Sequence, residues 1–439
     1  MSAITDWLDY STKSTGARSR GYRVQVTPTS GSSANPGDTI RFDIPAGRGR
    51  NQFLDPSQTA IQFQVKSADA AVMNVDGSGY SVLNRFTLLS SGQILEDIVS
   101  YNSAVTTYLD LQTLGVDQAA GGSVMQGCQY DATNNVAKFG AQLAIGNTTA
   151  QFLDVHLPLH LSGFIGTACP KLIPVGIMQD LRAEFIVETA ANAVVCASAT
   201  PAWTLQAITL NLFYVDIDPV VANQIYEANG GVYKVGSEGF RNFETVVGSA
   251  GSTRTSDSII IPARFSSVKS LISYWRDNIM RGDSTKYYIS NRYNPFTSGS
   301  GSGARCSVQY QIGSSLFPNT PITFAQSELF AQMLQSFHAL GNAQMNTRCN
   351  STNWLTNTSN VTMANVTSQN AGTAVLAVNT ESLCFKSKSF TCGVNTLTSP
   401  VILNASTYGS GISVQNIVNT ICHYDCIFEI SEAGVQVRF

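Results

Sequence analysis

The 439-residue sequence contains few charged side chains and only four histidines. Lysine, arginine, aspartate and glutamate together form 13% of the chain, about half the roughly 25% of a typical soluble domain. Exposed charge normally keeps a lone protein soluble and monomeric, so this shortage has two interpretations. Either neighbouring chains cover much of the surface, or the surface is polar but uncharged. The net charge of −3 argues against a dedicated nucleic-acid binder, which would carry a basic excess.

The sequence also lacks long apolar runs and a regular cysteine framework. No stretch of about 18 apolar residues occurs, so no transmembrane helix is predicted. The first 21 residues contain no apolar core of the kind found in secretory signals. Nine cysteines, an odd number, are scattered along the chain. This usage favours reduced thiols and folding inside a cell.

Motifs that would indicate catalysis or a cofactor are missing as well, and we predict neither. Cys422, His423 and Cys426 lie close together, but structural zinc needs four ligands and no companion pair accompanies them. Their spacing favours two buried cysteines on one face of a strand. His156 and His160 alternate with apolar residues, which places them on the polar face of a predicted strand.

Several short motifs have both a functional and an ordinary explanation. The loop Gly47 to Arg50 is either an anion contact or a solvated or interface loop. Arg281-Gly282-Asp283 spells an integrin-binding tripeptide, although a match of three residues arises easily by chance. Six N-x-[ST] triplets are better explained by an Asn/Thr-rich composition than by glycosylation. They begin at Asn147, Asn350, Asn357, Asn360, Asn365 and Asn404.

Many segments alternate between apolar and polar residues, which is typical of strands with one buried face. Examples are Ile40 to Ile44, Ile61 to Val65, Leu153 to Leu161 and Leu181 to Val187. Glycine-rich turns separate them, and each half of the chain has only one clear helical pattern. This composition predicts an all-β sandwich or barrel rather than a parallel α/β sheet.

The helical pattern occurs once in each half. Residues 84–115 and 307–341 both give a strand, a turn, a short apolar segment and an amphipathic helix that ends at Leu-Gly. We predict that Asp97 and Thr323 are the N-caps of the two helices and that Gly115 and Gly341 end them. The turns are predicted at Ser90 to Gly92 and around Pro318. The recurrence in one order indicates two copies of one domain.

The predicted domains follow from this repeat. Residues 1–20 form a polar N-terminal arm, residues 21–217 a first β domain, residues 218–231 a linker helix, and residues 232–439 a second β domain. Pro219 can begin the linker helix and Gly230-Gly231 can end it. Within the arm, Trp7, Arg18 and Arg20 are candidate contacts to a neighbouring chain, although the arm is equally consistent with an ordinary frayed terminus.

Four segments occur in a distinctive order: Phe42 to Val65, Asn84 to Asn102, His156 to Val187 and Tyr310 to Ile322. Together they resemble the double jelly-roll major capsid proteins of double-stranded DNA viruses. The resemblance is strongest to the polinton-like and adintovirus-like groups, which are related to the capsid proteins of nucleocytoplasmic large DNA viruses, adenoviruses and tectiviruses. The chain is short for this group.

This resemblance implies two consecutive eight-stranded jelly-roll barrels in one chain, each flanked by one of the two helices. Three chains would form a pseudo-hexameric capsomer, and capsomers would tile an icosahedral shell around the genome. The implied partners are other copies of the chain, neighbouring capsomers, and penton and minor capsid proteins, with no sequence-specific nucleic acid and no membrane span. Folding and assembly would take place in the host cytoplasm or nucleus, and the protein would reside in the virion.

Two other functions remain as alternatives at this point. A viral attachment, fibre or lectin-like protein that binds carbohydrate would predict a signal peptide or an exposed aromatic platform. A bicupin-type enzyme would need a histidine-rich metal site in each barrel. If the chain is a capsid protein, Trp275 and Arg276 are candidate interface residues by type, because tryptophan and arginine are enriched at interfaces.

Overall fold

The computed structural model places an antiparallel β-sandwich in each half of the chain. The described residues are 18–45, 49–68, 73–112, 124–131, 136–142, 152–196, 198–290, 292–293, 307–323, 326–336, 349, 354, 374–381, 392–406 and 412–439.

Eight strands of the first half form two facing four-stranded sheets, which we call barrel 1. The strand orders are β1-β12-β3-β9 and β2-β10-β5-β6, and β4-β11 and β7-β8 form two small additional pairs. The distribution of consecutive strands over two facing sheets is a jelly roll. The strands are β1 (Ser19–Val26), β2 (Thr39–Ile44), β3 (Gln52–Ser67), β4 (Met73–Val75), β5 (Leu83–Ser90), β6 (Gln93–Ile98), β7 (Cys128–Asp131), β8 (Val136–Gln142), β9 (Phe152–Pro158), β10 (Leu181–Val187), β11 (Val194–Cys196) and β12 (Trp203–Ile217).

The second half repeats this arrangement and forms barrel 2. Its sheets have the orders β13-β20-β15-β18 and β14-β19-β16-β17, and β21 extends the first sheet beside β20. Counted along each barrel, both have the orders 1-8-3-6 and 2-7-4-5, so the internal duplication is confirmed. The strands are β13 (Tyr233–Val247), β14 (Ser256–Ile261), β15 (Val268–Asp277), β16 (Ser307–Ile312), β17 (Ser315–Thr323), β18 (Leu376–Asn379), β19 (Val401–Ser406), β20 (Asn416–Ser431) and β21 (Gly434–Arg438).

Alternating side chains build the core of each barrel. In β2, Ile40, Phe42 and Ile44 are buried, whereas Arg41 and Asp43 are exposed. Side chains of a strand point to opposite faces in turn, so one face of β2 lines the core and the other meets solvent. The period-two pattern of the sequence therefore predicted correctly both a strand with one buried face and which residues that face carries.

Each barrel carries one long helix at the same place in its strand order. The helices are α1 (Tyr101–Gln112), α2 (Ala190–Ala193), α3 (Pro219–Ala228) and α4 (Gln326–Ser336), and short 3-10 helices span Gly79–Val82, Val175–Ile177 and Asn278–Met280. Both α1 and α4 lie between the fifth and sixth strands of their barrels. The predicted flanking helices are thus confirmed, and they begin a few residues later than the sequence indicated.

The predicted N-caps are wrong because both residues belong to the strands that precede the helices. Asp97 belongs to β6, opposite Thr87, and its carboxylate pairs with Arg85 at 2.7 Å. Thr323 is the last residue of β17, opposite Ser307, whereas α4 begins at Gln326. The helix α1 begins four residues after Asp97, and α4 begins three residues after Thr323, so neither residue immediately precedes its helix. The predicted helix ends at Gly115 and Gly341 lie outside the described residues.

One of the two predicted turns is also displaced. The first is confirmed: Ser91 and Gly92 join β5 to β6 with φ angles of 49° and 79°. In barrel 2 the equivalent turn is formed by Gly313 and Ser314 rather than around Pro318, which lies inside β17. The register of β16 and β17 shifts between Val308 and Tyr310, which accommodates the proline in this edge strand.

The domain boundaries after residues 20, 217 and 231 remain our proposal for this chain. The strand β1 begins at Ser19, and β12 ends at Ile217. The helix α3 then follows, with Asp218 as its N-cap and a proline at its start. Barrel 2 begins with β13 at Tyr233.

Candidate assembly surfaces

The helix α1 of barrel 1 is packed directly against barrel 2. The hydroxyl groups of Ser103 and Tyr274 lie 2.8 Å apart. Arg292 donates hydrogen bonds to Thr107 at 3.0 Å and to Asp110 at 2.6 Å. The side chains of Asp110 and Arg292 are each only 1% exposed. The polar residues of α1 therefore form a buried hydrogen-bonded contact between the barrels.

Trp275 and Arg276, which the sequence analysis proposed as contacts to another chain, are buried inside this one. Trp275 is 0% exposed and Arg276 is 2% exposed. The guanidinium of Arg276 donates to Asn419 at 3.0 Å and to Glu244 at 3.2 Å, and Glu244 also accepts a hydrogen bond from Ser100 of barrel 1. The prediction of an interchain role is corrected: Arg276 stabilises the contact between the two barrels of one chain.

Asp76 connects the barrels at a second place. Its carboxylate accepts hydrogen bonds from the backbone amides of Tyr288, Ile289 and Ser290 and from the Ser290 hydroxyl. Asp76 belongs to the segment after β4, whereas residues 288–290 belong to barrel 2. Burial raises the pKa of Asp76 to about 6, although the four hydrogen bonds oppose that rise.

Glu96 lies at a third place where the barrels meet. Its carboxylate accepts hydrogen bonds from the Ser162 hydroxyl and from the Gly163 amide. The Gly163 carbonyl in turn accepts a hydrogen bond from Ser237 of β13 at 2.6 Å. A Cβ atom at Gly163 would lie 2.2 Å from the Glu238 carbonyl oxygen, so the close approach of the barrels here requires glycine. Burial raises the pKa of Glu96 to about 7.

This raised pKa makes a prediction about stability and pH. A carboxyl group whose pKa is higher in the folded state than in the unfolded state stabilises the fold at low pH, and that contribution is lost as pH rises through the folded value. Between pH 6 and pH 8 we expect the Glu96 contribution to fall by about 1.4 kcal/mol, the equivalent of one pKa unit. Denaturant unfolding of the wild type and of Glu96→Gln at both pH values measures this change in the free energy of unfolding. The difference between the two proteins should change with pH, and a constant difference would contradict the assignment.

The outer faces of the two equivalent sheets differ sharply in exposure. In barrel 2 this face is covered by barrel 1, and Phe240, Asn242, Tyr274 and Asn419 are at most 6% exposed. In barrel 1 the corresponding face carries polar side chains that are exposed or half-buried. We call it the outer sheet face of barrel 1. Its exposed or half-buried side chains are Arg23, Gln25, Gln62, Gln64, Lys66, Asp154 and His156, and Asn211 is buried among them.

The two flanking helices differ in the same way. Residues 101–107 of α1 are all buried, since the core of barrel 1 covers one side of the helix and barrel 2 covers the other. In α4 only one side is buried, and it carries Leu329, Met333 and Leu334 of the predicted apolar stripe. The opposite side is exposed or half-buried, and it presents Ser327, Glu328, Ala331, Gln332 and Gln335.

The arm joins barrel 1 next to the linker helix. Arg18 and Arg20 are exposed, and the Arg18 carbonyl accepts a hydrogen bond from the amide of Asp218, the N-cap of α3. The guanidinium of Arg20 lies 5.8 Å from the centre of the Tyr22 ring. Trp7 lies outside the described residues. Contacts of these three residues with another part of the protein remain a proposal.

The histidine and cysteine motifs form ordinary structural contacts. His423 lies 3.0 Å from Glu238 and stacks on Phe240, while Cys422 and Cys426 are buried, and burial raises the pKa of both thiols. Among the described residues, no group of three or more His, Cys, Asp or Glu side chains is arranged to hold a metal ion.

Both other histidines were predicted on the polar face of one strand, and this is correct for His156 only. His156 lies in β9, within 3.4 Å of Asn211 on the outer sheet face. His160 lies beyond the end of β9, where its Nδ1 is 3.2 Å from the Thr167 hydroxyl. Burial lowers the pKa of His160 to about 4.

The remaining short motifs are held by contacts within the chain. Arg50 pairs with Glu432 at 2.6 Å, so this arginine of the Gly47 to Arg50 loop binds barrel 2. In the Arg281-Gly282-Asp283 tripeptide, the aspartate accepts hydrogen bonds from the Thr285 amide and hydroxyl. Asn404 lies in β19, and the other N-x-[ST] asparagines lie outside the described residues. Within the described part of the chain, no helix is long and apolar enough to cross a membrane.

No family model and no curated protein matches this sequence. Solved structures do resemble it along nearly the whole chain. PBCV-1 VP54, fitted into a reconstruction of the virophage Sputnik, is 12% identical over 98% of both chains, with a TM-score of 0.59. The Faustovirus major capsid protein is 12% identical over 96% of this chain and 92% of its own, with a TM-score of 0.62. The mavirus major capsid protein is 12% identical over 99% of this chain and 93% of its own, with a TM-score of 0.55.

At these identities the similarity establishes the fold and nothing finer. The shared fold is the double jelly roll, which was expected from the order of four sequence segments and is confirmed by the strand order of both barrels. The match covers both barrels together, and it is therefore a similarity of the whole arrangement rather than of a single β-sandwich.

Proposed function

We propose that this chain is the major capsid protein of a double-stranded DNA virus and that three copies form a pseudo-hexameric capsomer. The observation that carries the proposal is the duplication of one jelly roll within the chain, in the same arrangement as solved major capsid proteins. The proposed role is structural, without catalysis or a cofactor.

The unequal exposure of the two barrels supports self-assembly. Barrel 1 covers the outer sheet of barrel 2, whereas the equivalent sheet of barrel 1 is open. A contact that joins two different surfaces of repeated units can continue from one chain to the next, and it forms a ring when the rotation closes. Three chains would complete a ring of six barrels. The contact seen once inside the chain would then recur between chains.

This reasoning identifies the interchain surfaces. Within the chain, the polar side of α1 covers barrel 2. By the same arrangement, the open side of α4 would cover the outer sheet face of barrel 1 in the next chain. The charges are complementary, because α4 presents Glu328, whereas Arg23 and Lys66 outnumber Asp154 on the outer sheet face. Opposite charges at the edge of an interface increase the association rate and select the correct partner.

The finer parts of the assignment rest on the resemblance of the sequence segments. They include the icosahedral shell, contacts to neighbouring capsomers and to penton and minor capsid proteins, assembly in the host cytoplasm or nucleus, and residence in the virion. The placement near polinton-like and adintovirus-like viruses is likewise a proposal. The proposal includes neither a membrane span nor a sequence-specific contact with nucleic acid.

Reversing the charge of Arg23 should weaken the proposed trimer. In Arg23→Glu, a carboxylate replaces a guanidinium of the outer sheet face that α4 of the next chain is proposed to cover, and like charges at an interface are unfavourable. We expect the concentration at which half the protein is trimeric to rise at least about tenfold, equivalent to ~1.4 kcal/mol. Sedimentation velocity over a dilution series measures this concentration.

Arg41→Glu is the matched control. Arg41 is also an exposed arginine of barrel 1, but it lies on β2 in the opposite sheet, where it pairs with Glu184 at 3.2 Å. The control should associate within about twofold of the wild type. Equal weakening by the two substitutions, or no weakening by either, would place the interchain contact elsewhere.

A further inference from the structure

A cavity of about 500 Å³ opens at the end of barrel 1 where the chain enters it. Its lining includes Arg20, Tyr22, Pro45, Gln52, Tyr214 and Asp216. The rings of Tyr22 and Tyr214 stack with centres 6.0 Å apart. The cavity thus combines aromatic and apolar surface with a guanidinium and a carboxylate, and these groups suit a ligand with a flat apolar ring and a polar edge.

At the equivalent end of barrel 2, an aromatic side chain occupies the position of the cavity. Phe428 lies three residues before the end of the long strand β20, as Tyr214 does in β12. The ring of Phe164, from the segment between β9 and β10, packs 4.7 Å from the ring of Phe428. An aromatic side chain from outside the sandwich therefore covers this end of barrel 2, whereas the cavity remains at the end of barrel 1.

We propose that the cavity binds Trp7 of the chain's own N-terminal arm. Trp7 is the largest apolar side chain among residues 1–17, and Asp6 and Asp9 flank it. The ring matches the stacked tyrosines, and the two acidic residues match the exposed guanidinium of Arg20 at the rim. The indole N–H is a donor, and the Asp216 carboxylate in the lining is an acceptor.

The last residues of the arm lie beside the cavity, which favours the arm of the same chain as the occupant. Arg18 is bound to Asp218 through the backbone, and Arg20 already lines the cavity. Ten residues lie between Trp7 and Arg18, and Ser14-Thr15-Gly16 among them has the composition of a turn. A tether of this length can fold back and gives an effective concentration in the millimolar range. The arm would therefore occupy the cavity even if its intrinsic affinity were modest.

A synthetic peptide of residues 1–17, labelled with a fluorophore, tests the proposal on the full-length protein. The cavity of the wild type is expected to be occupied by its own arm, whereas Trp7→Ala leaves the cavity open. The peptide should therefore bind Trp7→Ala at least about tenfold more tightly than the wild type. Equal binding to both proteins, or binding to neither, would overturn the proposal.

Two further substitutions in the Trp7→Ala protein locate the binding site. Adding Tyr22→Ala should weaken peptide binding at least about tenfold, because it removes one of the stacked rings. Adding Thr39→Ala should change binding less than about twofold, because Thr39 lies at the far end of β2 from Pro45 of the cavity lining. Equal effects of the two substitutions would exclude the cavity as the site.

A photo-crosslinking residue at position 7 distinguishes the chain's own arm from that of another copy. Benzoylphenylalanine is placed there in otherwise unchanged protein, and ¹⁵N-labelled and unlabelled samples are mixed before irradiation. Mass spectrometry should find crosslinks to the segments around Tyr22 or Tyr214, with both peptides carrying the same isotope. Crosslinked pairs of mixed isotope would assign the occupant to another copy, and crosslinks elsewhere would refute the site. The inference does not depend on the capsid role.

Discussion

Replacing Asp76 by alanine is expected to lower the free energy of unfolding by about 4 kcal/mol, because buried donors left without an acceptor cost roughly 1–3 kcal/mol each. Three backbone amides and one hydroxyl of barrel 2 donate to this carboxylate, and the residue is 0% exposed. Denaturant unfolding, with both proteins at one concentration, measures the loss. A constant concentration matters because self-association adds to apparent stability.

The controls for Asp76 separate the lost acceptor from the substitution itself. Asp76→Asn keeps one acceptor oxygen, so its loss should be smaller than that of Asp76→Ala. Asp55→Ala removes a carboxylate that accepts hydrogen bonds from Ser57 and Gln58 on an exposed part of β3, and its loss should stay below about 1 kcal/mol. If Asp76→Ala were no worse than Asp55→Ala, Asp76 would not join the barrels in solution.

Replacing Arg292 by methionine should have a loss of similar size, about 3–5 kcal/mol. The substitution leaves the Asp110 carboxylate 1% exposed without the arginine that donates to it at 2.6 Å. An uncompensated charge in a buried place is strongly destabilising, whereas an apolar pair of similar volume is often neutral. The midpoint of denaturant unfolding reports the change.

The double substitution Asp110→Leu with Arg292→Met provides the decisive comparison. It removes both charges, so we expect it to recover most of the stability that Arg292→Met alone loses. The recovery is a coupling energy of the kind that a double-mutant cycle measures. Purely additive losses would mean that the two side chains do not interact, and the contact between α1 and barrel 2 would need revision.

Local patterns in the sequence were sufficient to predict the strands and the class of fold. In β2 and β10 every second residue is apolar, and these residues are the buried ones. The turn at Ser91 and Gly92 and the apolar stripe of α1 were also recognisable, because both depend on residues close in sequence. The duplicated barrel followed from the recurrence of the helix.

Boundaries between elements were harder to predict, because tertiary pairing decides them. Asp97 and Thr323 are suitable N-caps by residue type, yet β6 and β17 retain them through pairing with neighbouring strands. Pro318 and its neighbours suggested a turn, but the turn is made by Gly313 and Ser314. In each case a local preference was overridden by hydrogen bonding to the neighbouring strand of a hairpin.

The contact between the barrels could not be predicted from sequence. Its partners are far apart along the chain: Asp76 binds Ser290, and Asp110 binds Arg292. No spacing rule connects residues about 200 positions apart. Arg276 illustrates the consequence, since its type suggested an interface, and the structure places it at an interface inside the chain.

Single-particle electron microscopy of the purified wild-type protein tests the central claim most directly. The proposal predicts a particle with three times the 47.0 kDa mass of the chain and six lobes around its centre, one for each barrel. A stable two-lobed particle with the mass of one chain, or a ring that is not built from three chains, would contradict it.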